Sequence, residues 1–458
     1  MKKMRPGRLT TAALSLATCA AAPVLAQDGT GLRGNLSFST GLEVSDNPSL
    51  SSPADGNTLT SVTDLGFSLS SETRVDQFRF TLGASIQGED GGSTTSADAL
   101  DLQSSSASLA YTREGINSRL ALSGRYDEAE LDSEVFGFFV DGVFDPDALI
   151  LEGGTRKRKR LSADFSTGLD APFGVDLSFS TTTNNFVDTA DLVDSDTTRV
   201  SATARFSISP AMTARLTSTY ARSDEDDFLE TSRRNQSIGA GLTTATNDGL
   251  EVSADITLDS TETLNGAVVA SDDDGVGLSL GISKDRPDGG IALLLSSRID
   301  ESGRRTTARV SRDYDLPAGA LSLSLGVVDQ EDQDLELTTS VGYTREAAGG
   351  TLTANLVQSP TTDNGLAFLN TSLGVGFSAP INSISSWSAN FSYGSAEELG
   401  APGGDSRTSA AIRYSRDLSE DWGLNAGLRH TRISEEGADS RASSTLFVNV
   451  GRDFSFGF

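Results

Sequence analysis

The chain is predicted to be all-β: a transmembrane, antiparallel, up-and-down β-barrel of about 22 strands, within a range of about 18–24, with no plug domain. Three observations carry this expectation. Apolar and polar residues alternate with period two along the whole length. Short turns and longer acidic loops alternate between the strand-like stretches. Beyond the N-terminal leader, no apolar run is long enough for a membrane-spanning helix.

The leader opens with "MKKMRPGR", which is positive, followed by the apolar "LTTAALSLATCAAA" and by "VLA" before Gln27. A charged start, an apolar stretch too short to span a bilayer and a small-x-small site after Ala26 mark residues 1–26 as a secretory signal peptide. The barrel then occupies 27–458. Leu16–Cys19 loosely resembles a lipobox, but Thr18 fits poorly before a lipid-bearing cysteine. Cleavage after Ala26 removes the chain's only cysteine and with it any disulfide framework. It also removes four basic residues and no acid, so the formal net charge of −28 falls to about −32. Such a chain repels nucleic acid and attracts cations.

The strands follow one template. In "NLSFSTGLEV", Leu36, Phe38, Thr40, Leu42 and Val44 share a face opposite Asn35, Ser37, Ser39, Gly41 and Glu43. "QFRFTLGASI" groups Phe78, Phe80, Leu82, Ala84 and Ile86. "TRVSATARFSI" sets Val200, Ala202, Ala204, Phe206 and Ile208 against Arg199, Ser201, Thr203, Arg205 and Ser207. "GVGLSLGIS" and "ALSLSLGV" repeat the pattern. A soluble β-sandwich or β-helix also alternates. Its apolar face needs a cover, however, and no helical segment or short glycine repeat supplies one. Strands of about nine to eleven residues instead match a tilted crossing of hydrocarbon.

Connections such as "DAPFG", "SPAM", "TNDG", "DLPAG" and "EAAGG" carry the proline and glycine of tight turns. The others are long and acidic, among them "DNPSLSSPADGN", "DEDDFLE" and "DSTETLNGAVVASDDD". About ten turns and eleven loops put both termini on the short-turn side. The seven tyrosines, Tyr111, Tyr126, Tyr220, Tyr314, Tyr343, Tyr393 and Tyr414, all fall in register with the apolar face and near strand ends. Two belts of amphipathic rings are what a membrane interface selects.

The end of the chain, "NVGRDFSFGF", places Leu446, Val448, Val450, Phe454, Phe456 and Phe458 on one face, interrupted by Arg452. Asn449, Gly451, Phe454, Phe456 and the terminal Phe458 follow a polar-x-Gly-x-x-aromatic-x-aromatic pattern. This stretch resembles the C-terminal β-signal of Gram-negative outer-membrane barrels. The resemblance implies recognition by the barrel-assembly machinery, a closing last strand and, after Sec-type export, an integral outer-membrane location. More widely, the chain resembles porin-like barrels. Asp46-Asn47 after the first strand is similar to the pair found in a group of β-barrel porins and exopolysaccharide-operon barrels.

Catalysis finds little support. The one histidine, His430, shares its register with Leu428 and faces lipid, and no phosphate loop, dinucleotide fingerprint or zinc spacing occurs. No catalytic residue, metal ligand or cofactor is expected, and the chain is not expected to be an enzyme. An energised transporter is set aside because only Gln27 to Arg33 precede the first strand, too little for a plug.

One long loop, "EAELDSEVFGFFVDGVFDPDALILEGG", is rich in phenylalanine. It is expected to fold inward as a constriction, or else to pack over the rim or a neighbouring barrel. Behind it, "RKRKR" points Arg156, Arg158 and Arg160 inward, where they oppose Glu134, Asp141, Asp145 and Asp147 across an eyelet. A solvated rim patch is the plainer alternative. Lys157 and Lys159 point outward, toward lipopolysaccharide phosphates. About 39 of the 64 acids fall in the long loops, which favours cations at the mouth. Asp224–Asp227 and Asp272–Asp274 offer loose calcium or magnesium ligands; solubility explains them equally.

The expected function is a porin-like channel for passive diffusion of small hydrophilic solutes, cation-preferring, with outer-membrane lipid and lipopolysaccharide as partners and no nucleic acid. Alternatives are a barrel of exopolysaccharide export that handles polysaccharide, and a non-conducting surface scaffold or adhesin. The purified chain should require detergent and give a β-type circular dichroism spectrum; a monodisperse protein in plain buffer would rule out the outward apolar face.

Overall fold

The computed structural model describes residues 31–457, apart from 55, 91–100, 132–138, 141–142, 145–153, 190–191, 332, 348, 364–365, 399–403 and 436. The expected signal peptide and Phe458 lie outside the described residues. The strands run β1 Arg33–Ser45, β2 Thr58–Glu72, β3 Asp76–Asp90, β4 Asp101–Glu114 and β5 Ser118–Glu130. A two-residue ladder, β6 Phe139–Val140 and β7 Val143–Phe144, sits in the phenylalanine-rich loop. There follow β8 Thr155–Thr167, β9 Phe173–Val187, β10 Ser195–Ser209, β11 Met212–Glu225 and β12 Thr231–Ala245. Next come β13 Leu250–Asn265, β14 Val268–Arg286, β15 Gly289–Asp300, β16 Gly303–Leu316 and β17 Gly319–Gln330. The series ends with β18 Glu336–Ala347, β19 Gly350–Asp363, β20 Leu366–Asn382, β21 Ser385–Glu398, β22 Asp405–Asp417, β23 Trp422–Ser434 and β24 Arg441–Gly457.

Apart from the loop ladder, these form one 22-stranded antiparallel sheet in which each strand pairs with its sequence neighbours. The last strand returns to the first, with Leu36 opposite Phe454, Leu42 opposite Val448 and Val44 opposite Leu446. The chain is therefore a closed barrel and an integral outer-membrane protein. Closure follows from the solvent: an edge in hydrocarbon leaves amides unpaired, each at a cost of several kcal/mol.

Register decides which side chains meet lipid. Leu36 pairs with Phe67 and Phe454, and Phe67 pairs with Leu82, so one apolar face continues from strand to strand. All seven tyrosines lie on it: Tyr111 pairs with Phe78 and Leu122, Tyr343 with Leu321 and Ala354, and Tyr414 with Trp387 and Ala426. Tyr126, Tyr220, Tyr314 and Tyr393 pair with Ala107, Val200, Leu321 and Leu373. At the short-turn rim, Arg452 lies over Phe454 at 4.4 Å and Trp422 at 5.5 Å, with its guanidinium 3.3 Å from Asp421. A charge on the lipid face is tolerated there because it reaches the interface. In the turn 246–249, hydrogen bonds from the Thr246 hydroxyl and from Lys284 hold the Asp248 carboxyl below the usual carboxylate range.

One loop reading is corrected. "DSTETLNGAVVASDDD" is no loop; β13 and β14 continue as a paired hairpin, with Ser260 opposite Asp274 and Asn265 opposite Val268. The reason is the two-residue turn Gly266-Ala267 between the paired Asn265 and Val268, with Gly266 at φ +60° in its first position, a geometry compatible with strand twist. Acidic composition concealed that signal.

The Asp46-Asn47 pair has a physical role at the seam. Asp46 accepts the Ser444 amide at 2.6 Å and donates its own to the Ser444 carbonyl at 3.2 Å. Asn47, 2% exposed, donates to the Ser51 carbonyl at 3.0 Å and the Ala442 carbonyl at 3.1 Å. The first loop is thus tied to the strand that closes the ring. Asn47→Ala should destabilise the folded barrel by about 1–3 kcal/mol, the cost of buried groups left without partners. Urea unfolding in detergent measures it; a midpoint equal to wild type would remove the pair from the seam.

Candidate binding site in the barrel lumen

The inner wall is polar because alternate residues of each strand point away from lipid. After the leader the chain has only three lysines, and Lys157, Lys159 and Lys284 all lie in register with the outward face. Inward cations are arginines, whose planar fork pairs with carboxylates in two places at once. Arg205 meets Asp176 at 2.6 Å, Arg125 meets Asp127 at 2.8 Å, and Arg305 meets Asp300 at 3.2 Å.

The Arg215–Asp255 pair shows how sequence permits such contacts. Arg215 on β11 and Asp255 on β13 are both opposite Gly241 of the intervening β12. Arg215 Nε donates to Asp255 Oδ1 at 2.7 Å across that glycine, where any Cβ would overlap the carboxylate. Gly277 on β14 plays the same part for Thr257 and Asp259, which lean over it.

The Arg215–Asp255 and Arg305–Asp300 pairs bound a cavity of about 820 Å³ on the wall from β9 to β16. Arg199, Arg215, Asp255, Asp259, Arg298 and Arg305 are its charged lining, apart from Asp300, amid serine, threonine and asparagine. A smaller cavity of about 330 Å³ lies on the opposite wall, near Asp64, Arg413, Arg429 and Phe447. Both arginines stack near the Phe447 ring, at 5.6 and 5.8 Å. Asp64 accepts from Ser39 at 3.0 Å and Ser85 at 2.8 Å and has no arginine partner among the described residues.

The sequence-predicted residues divide. Arg156, Arg158 and Arg160 lie on the inner face of β8, in register with Ala129, Asp127 and Arg125, and the first two are buried. Arg158 Nε donates to Asn184 Oδ1 at 2.8 Å. Glu134, Asp141, Asp145 and Asp147, their expected opponents, lie outside the described residues. Lys157 faces outward and is held by Glu128 at 3.0 Å, while Lys159 is exposed. His430 is outward, its Nδ1 3.0 Å from Ser444 Oγ. Asn449 and Gly451 face inward on the closing strand, and Phe454 and Phe456 face lipid.

The acidic mouth is less uniform than composition implies, because strands carry arginines up to the loops. Asp224 is matched by Arg222 at 2.8 Å and Glu262 by Arg234 at 3.3 Å. Arg233 bridges Glu225 and Glu301, with the three side chains only 10–19% exposed. Asp227 accepts the amide of Thr231 at 2.7 Å. Among the described residues no group of three acids is arranged to hold a metal ion. Sequence reasoning missed Arg298, Asp259 and Arg233. Arg298 follows the inward Leu294, which blurs the alternation; Asp259 opens a stretch that reads as loop, and Arg233 lies just beyond another.

No family model matches the chain, and no curated relative does. Solved structures match at the level of fold. The FrpB iron transporter of Neisseria meningitidis is 8% identical with a TM-score of 0.61, over 94% of this chain and 83% of its own. The ferric enterobactin receptor PfeA of Pseudomonas aeruginosa is 12% identical with a TM-score of 0.54, over 94% and 82%. The siderophore receptor PirA of Pseudomonas aeruginosa is 9% identical with a TM-score of 0.51, over 94% and 81%.

Two expectations are overturned by these likenesses. The expected fold class of a barrel with no plug domain is not supported, because the similar solved barrels are iron and siderophore transporters and receptors, and 22-stranded outer-membrane transporters have a plugged lumen. Diameter grows with strand number, so a ring of 22 strands encloses a wide lumen. Passive porin-like diffusion falls with it, and neither polysaccharide export nor a non-conducting scaffold or adhesin is matched better.

Arg233→Met should cost about 3–5 kcal/mol by leaving two buried carboxylates side by side. Arg222→Met, at an exposed pair, should cost no more than about 1 kcal/mol. Equal losses in urea unfolding would contradict the burial that separates them.

Proposed function

We propose that the chain is an outer-membrane receptor that captures a small solute within its barrel and passes it inward, the solute being a chelate of iron or a molecule of similar size. The observation that carries this is the 22-stranded closed ring with an arginine- and carboxylate-lined interior cavity. The roles of the similar barrels, iron transport and siderophore reception, support the same reading. A cavity of about 820 Å³ lies within the range that holds small-molecule ligands.

Other assignments accompany it as proposals. Asn449, Gly451, Phe454, Phe456 and Phe458 form the signal that the barrel-assembly machinery reads. Exposed Lys159, beside Lys157, meets lipopolysaccharide phosphate at the outer rim. Arg156, Arg158 and Arg160 line the inner wall that an entering solute passes. The chain has no enzymatic role in this reading and needs no cofactor.

Deletion of the gene should abolish iron-limited growth on at least one ferric chelate of a broad panel, with uptake of radiolabelled iron from that chelate falling about tenfold or more. Unchanged uptake from every chelate, together with non-saturating solute entry into liposomes bearing the purified barrel, would contradict a receptor.

A further inference from the structure

Among the arginines lining the larger cavity, Arg215 and Arg305 are neutralised by Asp255 and Asp300. Arg199 and Arg298 are not: each is exposed in the same cavity and has no hydrogen-bond or ion-pair partner among the described residues. Two guanidinium groups without a carboxylate in one cavity leave it a local positive charge that an anion can balance. Both present planar donor forks suited to a carboxylate.

A second feature of the cavity asks for the opposite chemistry. Asp259 is only 8% exposed. Its Oδ1 accepts from Ser237 at 2.7 Å, while its buried Oδ2 has no partner. The buried Thr257 Oγ1 beside it is also without one. A buried carboxylate oxygen left unsatisfied costs free energy that a hydroxyl donor restores. Both atoms lean over Gly277, where any side chain would overlap them, so the wall is kept open at this point. Arg298 lies on the adjoining strand, one step beyond the Leu278–Ser297 pair and so level with Gly277.

We infer that this cavity binds a polyhydroxylated carboxylate, with its carboxylate groups on Arg199 and Arg298 and a hydroxyl donating to Asp259 Oδ2. The inference rests on the receptor reading and narrows it to a class of solute. Serine and threonine hydroxyls such as Ser201, Thr217 and Ser296 complete a lining suited to a hydroxylated molecule and poor in aromatic stacking surfaces.

Titration calorimetry on the full-length barrel in detergent tests it, with digalacturonate as the probe and lactose as its neutral counterpart. Digalacturonate should bind at least about tenfold more tightly than lactose, since charge-assisted hydrogen bonds are the stronger ones. Arg199→Glu and Arg298→Glu should each weaken it about tenfold or more, whereas Arg79→Glu, on the inner face of β3 away from the cavity, should not. Heat-dependent mobility on gels checks that each variant forms the closed barrel. Gly277→Val, whose side chain would displace Asp259 Oδ2 and Thr257 Oγ1 without altering charge, should also weaken binding. Equal affinity for lactose, competition by an equimolar concentration of inorganic sulfate, wild-type affinity in both glutamate variants, or no binding of digalacturonate would each overturn the inference. None of these results touches the growth and uptake phenotype of the deletion strain, so failure here and failure of the receptor reading remain separate.

Discussion

Everything in this structure depends on pairing the backbone. In hydrocarbon an amide or carbonyl has no water to turn to, so a sheet that enters a membrane must close on itself. The contact between β1 and β24 is where that demand is met, over thirteen residue pairs from Arg33–Gly457 to Ser45–Thr445. Side chains on the two strands follow from it: Leu36 and Phe454, or Leu42 and Val448, face lipid together because register leaves them no other side. The buried Asn47 and the neighbouring Asp46 extend the same pairing into the first loop, which joins loop order to barrel closure.

Closure also sets the electrostatics of the inside. A ring of this circumference has inner-facing residues on every strand, and a row of charges there must be balanced within the ring. The chain uses arginine and carboxylate on neighbouring or next-neighbouring strands, with a glycine where the pair crosses a strand, as Gly241 does beneath Arg215 and Asp255. Pairing at the mouth, through Arg222, Arg233 and Arg234, leaves less free negative charge than the composition implies. The electrostatic character of the entrance is therefore a property of pairs, and the overall net charge describes it poorly.

The outside obeys simpler rules. Tyrosines mark the strand ends on the lipid face, and at the short-turn rim arginines lie against aromatic rings, as Arg312 does with Tyr314 at 4.5 Å while its guanidinium meets Asp288 at 2.6 Å. Long side chains there place their stems in the apolar zone and their charge in water. The barrel is held upright by these two rims while its interior varies independently.

Much of this was legible in one dimension. Alternation has period two, and so has a strand, so the face of Leu36, Phe78, Val200 and each tyrosine could be read directly, as could the strand count and the closing role of the last strand. Arg156, Arg158 and Arg160 were placed inward by the same parity. What parity cannot supply is the identity of partners on other strands. Arg199 was visible as an inward arginine, but that it stays unpaired while Arg215 reaches over Gly241 to Asp255 depends on residues forty positions apart. Arg298 and Asp259 share one cavity only because β13 and β15 flank the same strand, β14. Alternation alone also cannot separate kinds of barrel, since every membrane barrel alternates in the same way and the width enclosed depends on how many strands close the ring.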